Sequence, residues 1–310
     1  MTPNDAINYE QVFSKIPTVL STIKNLGNVA SYIPELSNVD ENKFGIHLIT
    51  TQNKRFSYGD AQERFSIQSI AKVLSFTLAL KLEGKELWKR VGVEPSGNAF
   101  NSLSQLELEN GIPRNPFINA GALLICDVLV SHLKNPKEEF ILLVRKLVGK
   151  DDINYCERIA LSEKEHGFRN AAMLNFMKSY GNINNDIDAV LDFYFHLCSI
   201  EMNCEELAQS MMYLCSNGIN PLNNEEVVSP SRAKRINAVM QLCGFYDEAG
   251  EFSFKVGLPG KSGVGGGIVA LHPLIYCVAV WSPKLNEKGN SYRGMKILEY
   301  FTTQTESSIF

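Results

Sequence analysis

Ser69 and Lys72 stand three residues apart in the run RFSIQSIAKVLSF, residues 64–76. On a helix, positions i and i+3 share a face, so the lysine amine can reach the serine hydroxyl. At neutral pH a serine hydroxyl is a poor nucleophile and a protonated lysine is no base. The apolar flanks Ile70, Ala71, Val73 and Leu74 favour a desolvated, neutral amine, which can take the serine proton. Ser69 also falls near a helix start, where free N–H groups and the helix dipole favour a developing negative charge. Ser-x-x-Lys is short, however. It recurs by chance in helices, and a serine at such a position also serves as a plain helix cap.

A second short motif changes the balance. GLPGKSGVGGG, residues 257–267, places Lys261-Ser262-Gly263 between two candidate strands. Class A β-lactamases and penicillin-binding proteins combine Ser-x-x-Lys with a Lys-Thr-Gly on a sheet strand, and Lys-Ser-Gly is a common variant of that triplet. Its glycines let a substrate come close to the backbone, and Lys261 adds positive potential. A Gly-rich hairpin is the plainer alternative. A phosphate loop is excluded, because there is no Walker spacing and the following residues read as strand. Tyr180-Gly181-Asn182 mimics a third motif of that superfamily, but KSYGNINND reads as a polar turn that stops a helix at Gly181.

These residues need elements to hold them. A helix is expected over roughly 6–24, with Ile16, Val19, Leu20 and Ile23 at helical spacing. FGIHLITTQNKRFSYGD reads as a hairpin turning at Gln52-Asn53-Lys54. From 69 to about 215 the pattern is helical, broken by loops such as VEPSGNAFN and NGIPRNPFINAG. EFSFKVG, GGIVALHP and IYCVAVWSP read as three late strands, and a helix over roughly 291–303 follows. The expected class is α/β (α+β). An antiparallel sheet of N- and C-terminal strands, about 25–60 and 250–310, packs against a central helical lobe, about 65–245. One domain spans 1–310, with the active site in the crevice between sheet and lobe.

Bulk properties exclude other classes. The chain of 310 residues is 45% hydrophobic and 21% charged, an ordinary globular composition. A net charge of −4 and the lack of any long Lys/Arg run give nucleic-acid binding no support. No apolar run approaches the roughly 20 residues of a membrane span. MTPNDAINYE lacks the features of a signal peptide. The cysteines at 126, 156, 198, 204, 215, 243 and 277 are odd in number and form no Cys-x-x-Cys. Buried reduced thiols and a cytoplasmic location are expected. No cluster has metal-ligand spacing, so no metal is expected.

The sequence resembles the serine-dependent glutaminases, which are similar in fold to β-lactamases. The resemblance runs from about 30 to 305, through SYIPEL, FSIQSIAKVLSF, VGVEPSGNAFNS, RNPFINAGA, SEKEHGFRN, LDFYFHLCSIE, CGFYDEAGEF, VGLPGKSGVGGGI and WSPKLNEKGNS. It implies Ser69 as nucleophile and Lys72 as its activating partner, with Tyr246 and Lys261 in the catalytic group. It also implies Tyr32, Asn119, Glu163, Asn170, Tyr194, Tyr246 and the Val264 backbone, beside Ser69 itself, as substrate or proton-transfer positions. Physics agrees: the α-ammonium of L-glutamine needs a carboxylate, which Glu163 supplies. Its α-carboxylate and side-chain amide need neutral partners, which asparagines and tyrosines supply. Taken singly, each residue has a plainer reading. Asn119 can cap a helix, Tyr194 can be core, and Glu163 can be solvated surface.

The implied activity is hydrolysis of L-glutamine to glutamate and ammonia through a serine acyl-enzyme, with no cofactor. The implied assembly is a homodimer or homotetramer, without membrane or nucleic acid. A β-lactamase or D,D-peptidase-like hydrolase is the rival enzyme, and a catalytically silent sensor or assembly protein the rival of another class. Phe168 stands where the family often has a small polar residue, which bears on pocket shape. His47, His132, His166, His196 and His272 match no catalytic position and read as structural or surface. The long N-terminal extension and ankyrin-type region of the animal enzymes have no counterpart in this sequence.

Overall fold

The computed structural model describes residues 7–97 and 101–310. The expected helix start at 6 and residues 98–100 of the VEPSGNAFN loop lie outside these. Helix α1 (Tyr9–Thr22) begins where the Asn8 side chain accepts the Gln11 N–H at 3.0 Å, satisfying one of the free donors of the first turn. It buries Tyr9, Val12, Phe13 and Ile16, a stripe at helical spacing. The hairpin follows as β1 (Gly45–Thr50) and β2 (Arg55–Gly59). Asn53, at φ 61°, takes the left-handed conformation of its turn, which asparagine tolerates better than most residues.

The lobe then begins. A 3₁₀ turn, Gln68–Ile70, runs into α2 (Ala71–Glu83), which is buried on every side from Ala71 to Thr77. Around it stand α3 (Asn119–His132), α4 (Glu157–Glu165), α5 (Phe168–Ser179), α6 (Ile187–Cys198) and α7 (Pro230–Cys243). A short helix, α8 (Ala249–Lys255), leads to β3 (Gly260–Ser262), β4 (Gly267–His272), β5 (Tyr276–Trp281) and the closing helix α9 (Tyr292–Thr305).

The five strands form one antiparallel sheet in the order β2-β1-β5-β4-β3. The chain's two ends meet at β1 and β5, where Gly45 faces Trp281 and Thr50 faces Tyr276. Strand alternation divides β5 between two cores. Tyr276, Val278 and Val280 pack with α1 and α9, while Cys277, Ala279 and Trp281 face the lobe. Both faces are covered, so the central strands are buried almost throughout, His47 and Thr50 of β1 included.

EFSFKVG is not a strand; it forms most of α8 and the residues just after it. Ala249, Phe252 and Val256 are buried at spacings of three and four, while Phe254 is 89% exposed. The Phe-Ser-Phe alternation therefore has no partner sheet, and the helical face wins. Lys261-Ser262 also lies within β3, not between strands. Tyr180-Gly181-Asn182 is a turn after α5, as expected. Its Asn182 side chain donates to the Arg90 and Gly111 carbonyls, a bracing role.

Candidate active site

Ser69 sits in the 3₁₀ turn leading into α2, and 8% of its surface is exposed, at the floor of a cavity of about 160 Å³. The residue before it, Gln68, is forced to φ 49°, and Tyr246 across the site to φ 56°. Non-glycine residues in this region cost roughly 1–3 kcal/mol each and persist only where packing over-determines them. The packing is visible. The β3–β4 turn presses on the segment that precedes Ser69, so that a Cβ added at Gly263 would stand 2.5 Å from the Ile67 oxygen. One added at Gly265 would stand 2.2 Å from the Ser66 oxygen. Only glycines allow this approach. It brings Val264 into the wall of the same cavity as Ser69. Among the described residues, neither the Ser69 nor the Val264 N–H donates to a carbonyl of the loops, turns and caps.

Lys72 lies behind Ser69 and is fully buried. Its amine donates to Asn119 Oδ1 at 2.7 Å and to the Phe117 carbonyl at 3.3 Å. Burial lowers its pKa to about 8. Burial raises the Tyr246 hydroxyl to about 12, against the opposing influence of the Ser69 and Ser262 hydroxyls. The Lys261 amine stands 4.6 Å from the centre of the Tyr246 ring and donates to the Ser262 carbonyl at 2.6 Å. Burial, with the Lys72 charge nearby, holds Lys261 well below the ordinary lysine value.

The cavity is lined by Tyr32, Ser69, Asn119, Glu163, Asn170, Tyr194 and Val264 among others. Asn119 opens α3 without capping it. Its Oδ1 faces Lys72 and its Nδ2 donates to Asn170 Oδ1 at 3.1 Å. Glu163 is buried rather than solvated, and desolvation raises its pKa to about 7 against the pull of Lys72. Tyr194 is buried, and burial raises its hydroxyl's pKa well above the ordinary value. Tyr32 is 54% exposed, so it reaches the cavity from its rim, where burial of its hydroxyl end and the Glu163 charge raise that hydroxyl's pKa. Lys72, Tyr246 and Lys261 stand behind the lining.

Gln68, Cys198, His166 and Arg169 also line the cavity and had not been singled out. His166 had been read as structural or surface. It ends α4 one turn after Glu163, and its Nδ1 donates to the Ser162 carbonyl at 2.8 Å. The helical spacing of SEKEH could have placed it beside Glu163. Phe168 is 81% exposed and outside the lining, so it leaves the pocket shape unaltered. No group of three or more metal-ligating side chains is gathered among the described residues.

A family model described as glutaminase matches residues 27–310. The chain belongs to the glutaminase family. A glutaminase from Saccharophagus degradans (strain 2-40) is 61% identical over 306 residues, 99% of this chain and all of the relative. A solved structure of a probable glutaminase, YbaS, superposes with a TM-score of 0.92 at 32% identity, covering 97% of each chain. The Bacillus subtilis glutaminase YbgJ superposes with a TM-score of 0.86 at 30% identity, over 97% of this chain and 99% of that one. That structure is a covalent complex with 5-oxo-L-norleucine, formed by reaction with 6-diazo-5-oxo-L-norleucine. The sheet and lobe described above are thus the β-lactamase-like fold of bacterial glutaminases.

Proposed function

We propose that this chain hydrolyses L-glutamine to L-glutamate and ammonia through an acyl-enzyme on Ser69, with no metal or organic cofactor. Family membership supports the reaction. The observation that carries the mechanism is the setting of Lys72. A neutral amine has two N–H bonds and one lone pair. The Asn119 and Phe117 oxygens take the two N–H bonds, which leaves the lone pair for the Ser69 proton. With a pKa of about 8, roughly a tenth of the enzyme holds this base at pH 7.

Ser69 Oγ attacks the side-chain amide carbon as its proton passes to Lys72. The oxyanion forms between the N–H groups of Ser69 and Val264, donors of a kind worth about 3–4 kcal/mol each. Tyr246 gives its proton to the leaving nitrogen, and the Lys261 amine lies over the ring of the tyrosinate left behind. Water then attacks the ester and gives a proton to the Tyr246 oxygen, while Lys72 returns its proton to the Ser69 oxygen as glutamate leaves. Glu163 takes the α-ammonium; Asn119, Asn170, Tyr32 and Tyr194 serve the remaining polar atoms.

The cavity, about 160 Å³, is smaller than the ~300–1,000 Å³ of drug-sized pockets and suits a free amino acid. The covalent complex of YbgJ with a glutamine-like diazoketone supports a nucleophile at this site. The seven unpaired cysteines support a cytoplasmic setting, and no described helix is long and apolar enough to cross a membrane. One domain over 1–310 and a homodimer or homotetramer complete the reading, the latter resting on family resemblance. The test is glutamine-dependent ammonia release by the wild type beside Ser69→Ala. Loss of at least ~10³-fold in kcat with the fold intact is expected; near-normal turnover in the variant overturns the mechanism. Turnover of nitrocefin in place of glutamine would restore the β-lactamase reading.

A further inference from the structure

Trp281 touches both halves of the proposed oxyanion site. It is the last residue of β5, is fully buried, and is one of two tryptophans in the chain. Its indole N–H donates to the Gly265 carbonyl at 3.0 Å. Its ring lies flat on Phe65, with centroids 4.9 Å apart and planes 5° from parallel. Gly265 follows Val264, and Phe65 comes four residues before Ser69. One side chain thus reaches the two segments whose N–H groups are to meet a single oxygen atom.

The turn between β3 and β4 presents Val264. The Gly266 N–H donates to the Gly263 carbonyl at 3.0 Å, closing a four-residue turn with Val264 and Gly265 at its centre. No peptide bond among the described residues is cis, and in a trans peptide the N–H and C=O point opposite ways. The Gly263 carbonyl is drawn into the turn, so the Val264 N–H of the same peptide unit points out of it. The end of β5 holds this turn with two donors. The Trp281 indole bonds the Gly265 carbonyl, and the Ser282 N–H bonds the Gly266 carbonyl at 3.0 Å. On the other side Phe65 is fixed as well. It pairs with Met202 in a short antiparallel ladder, and the Ile67 N–H donates to the Ile200 carbonyl at 2.9 Å. Its ring edge presses on β4, where a Cβ added at Gly267 would stand 2.6 Å from Phe65 Cε2. A rigid ring packed between two fixed segments sets the spacing between them.

We propose that Trp281 is a positioning residue for the oxyanion site: its hydrogen bond to Gly265 and its stacking on Phe65 hold the Val264 N–H at the distance from the Ser69 N–H that one oxyanion can bridge. Trp281 is not in the lining of the catalytic cavity, so it acts through the two segments it touches. Substrate is anchored elsewhere, by Glu163 and the asparagines. An oxyanion site that opens slightly therefore weakens binding of the transition state and leaves binding of glutamine nearly as it was, which lowers kcat and spares KM.

This inference rests on the acyl-enzyme reading and its oxyanion site, and Ser69→Ala tests that reading separately. In the full-length protein, Trp281→Phe keeps an aromatic ring beside Phe65 and removes the N–H. It should lower kcat for glutamine about tenfold, the rate equivalent of one hydrogen bond, with KM within about twofold. Trp88→Phe, at the other tryptophan, which meets Phe76 edge-on in the lobe, should keep the wild-type kcat. A double-mutant cycle separates positioning from a general weakening of the fold. Gly265→Ala already displaces the turn, so adding Trp281→Phe to it should lower kcat by less than about threefold further. Wild-type kcat in Trp281→Phe overturns the proposal. So does a loss confined to KM, or a loss of the same size in both backgrounds. Should Trp281→Phe fold poorly, the benzothiophene analogue of tryptophan is placed at position 281 alone. Sulphur then stands where the N–H was, and the ring keeps its shape. The same fall in kcat is expected, and an unchanged kcat overturns the proposal.

Discussion

The Lys72 amine donates to the Asn119 side-chain oxygen at 2.7 Å, and the Asn119 amide nitrogen donates in turn to Asn170 at 3.1 Å. The base proposed for catalysis and the group proposed for substrate recognition are therefore one unit, joining α2 to α3 and α5. A neutral acceptor on Lys72 is important. It satisfies an N–H without favouring the charged amine, as a carboxylate would.

That contact makes a prediction for Asn119→Asp. A carboxylate beside Lys72 favours its protonated form and raises its pKa by roughly 1–3 units from about 8. The neutral base is then reached at higher pH. The rising limb of kcat should move to higher pH by that amount, and activity at pH 7 should fall at least about tenfold. A limb that stays in place would show that Lys72 is not the titrating base.

Lys72→Arg keeps a positive charge but supplies no base, because arginine is not deprotonated in proteins. The variant should be nearly inactive from pH 6 to 10 while reacting to heat much as the wild type does. Substantial ammonia release would mean that only charge is required at 72.

Glu163 bears on recognition and has its own pH signature. Burial raises its pKa to about 7, and it must be ionised to bind an ammonium. For the free enzyme, kcat/KM should rise with pH through about 7 and through the Lys72 ionisation near 8. Glu163→Gln should remove the lower step and cut kcat/KM for glutamine by roughly 10- to 100-fold, the value of a charge-assisted bond. A glutamine analogue without the α-amino group should be affected far less. Glu165→Gln is the comparison, since Glu165 is exposed and outside the cavity lining. Equal effects from the two substitutions would remove Glu163 from recognition.

The sheet and lobe were legible because alternation and helical spacing are local signals. GGIVALHP and IYCVAVWSP are apolar over a strand's length and became β4 and β5. EFSFKVG misled because it alternates over six residues, Glu251 to Val256, as a strand would, yet tertiary packing chose Phe252 over Phe254. At the site, Ser69 and Lys72 were readable from spacing within one turn. Glu163, Asn119 and Tyr194 were not, since α4, α3 and α6 bring them together across distances that no periodicity encodes; only resemblance to a family supplied them. Gln68 and Tyr246 carry positive φ values that sequence does not announce, and His166 was passed over as one more histidine of a charged run.

Asn182 separates bracing from catalysis. Its amide donates to the Arg90 carbonyl at 3.0 Å and the Gly111 carbonyl at 2.9 Å, tying the turn after α5 to two loops. Asn182→Ala leaves those carbonyls without this donor, at about 1–3 kcal/mol. Thermal unfolding should drop by several degrees, while kcat and KM of the folded enzyme stay at wild type. A specific loss of kcat at unchanged stability would give the Tyr180-Gly181-Asn182 turn a catalytic role that its position does not support.

Gly265→Ala tests the oxyanion site through the backbone. The added methyl group would lie 2.2 Å from the Ser66 carbonyl oxygen, a main-chain atom that cannot swing aside as a flexible side chain would. The β3–β4 turn must therefore lift away from the segment before Ser69, and Val264 moves with it. An N–H displaced by even a fraction of an ångström no longer meets the oxyanion, although substrate held by Glu163 and the asparagines is little disturbed. The expected result is a kcat lower by roughly 10²–10³, the usual cost of one oxyanion donor, with a much smaller change in KM. Gly250→Ala is the control, because nothing lies within 4 Å of a Cβ there, and it should keep full activity. Covalent labelling by 6-diazo-5-oxo-L-norleucine reports whether Ser69 still attacks. Normal kcat in Gly265→Ala would mean that the Val264 N–H does not stabilise the transition state.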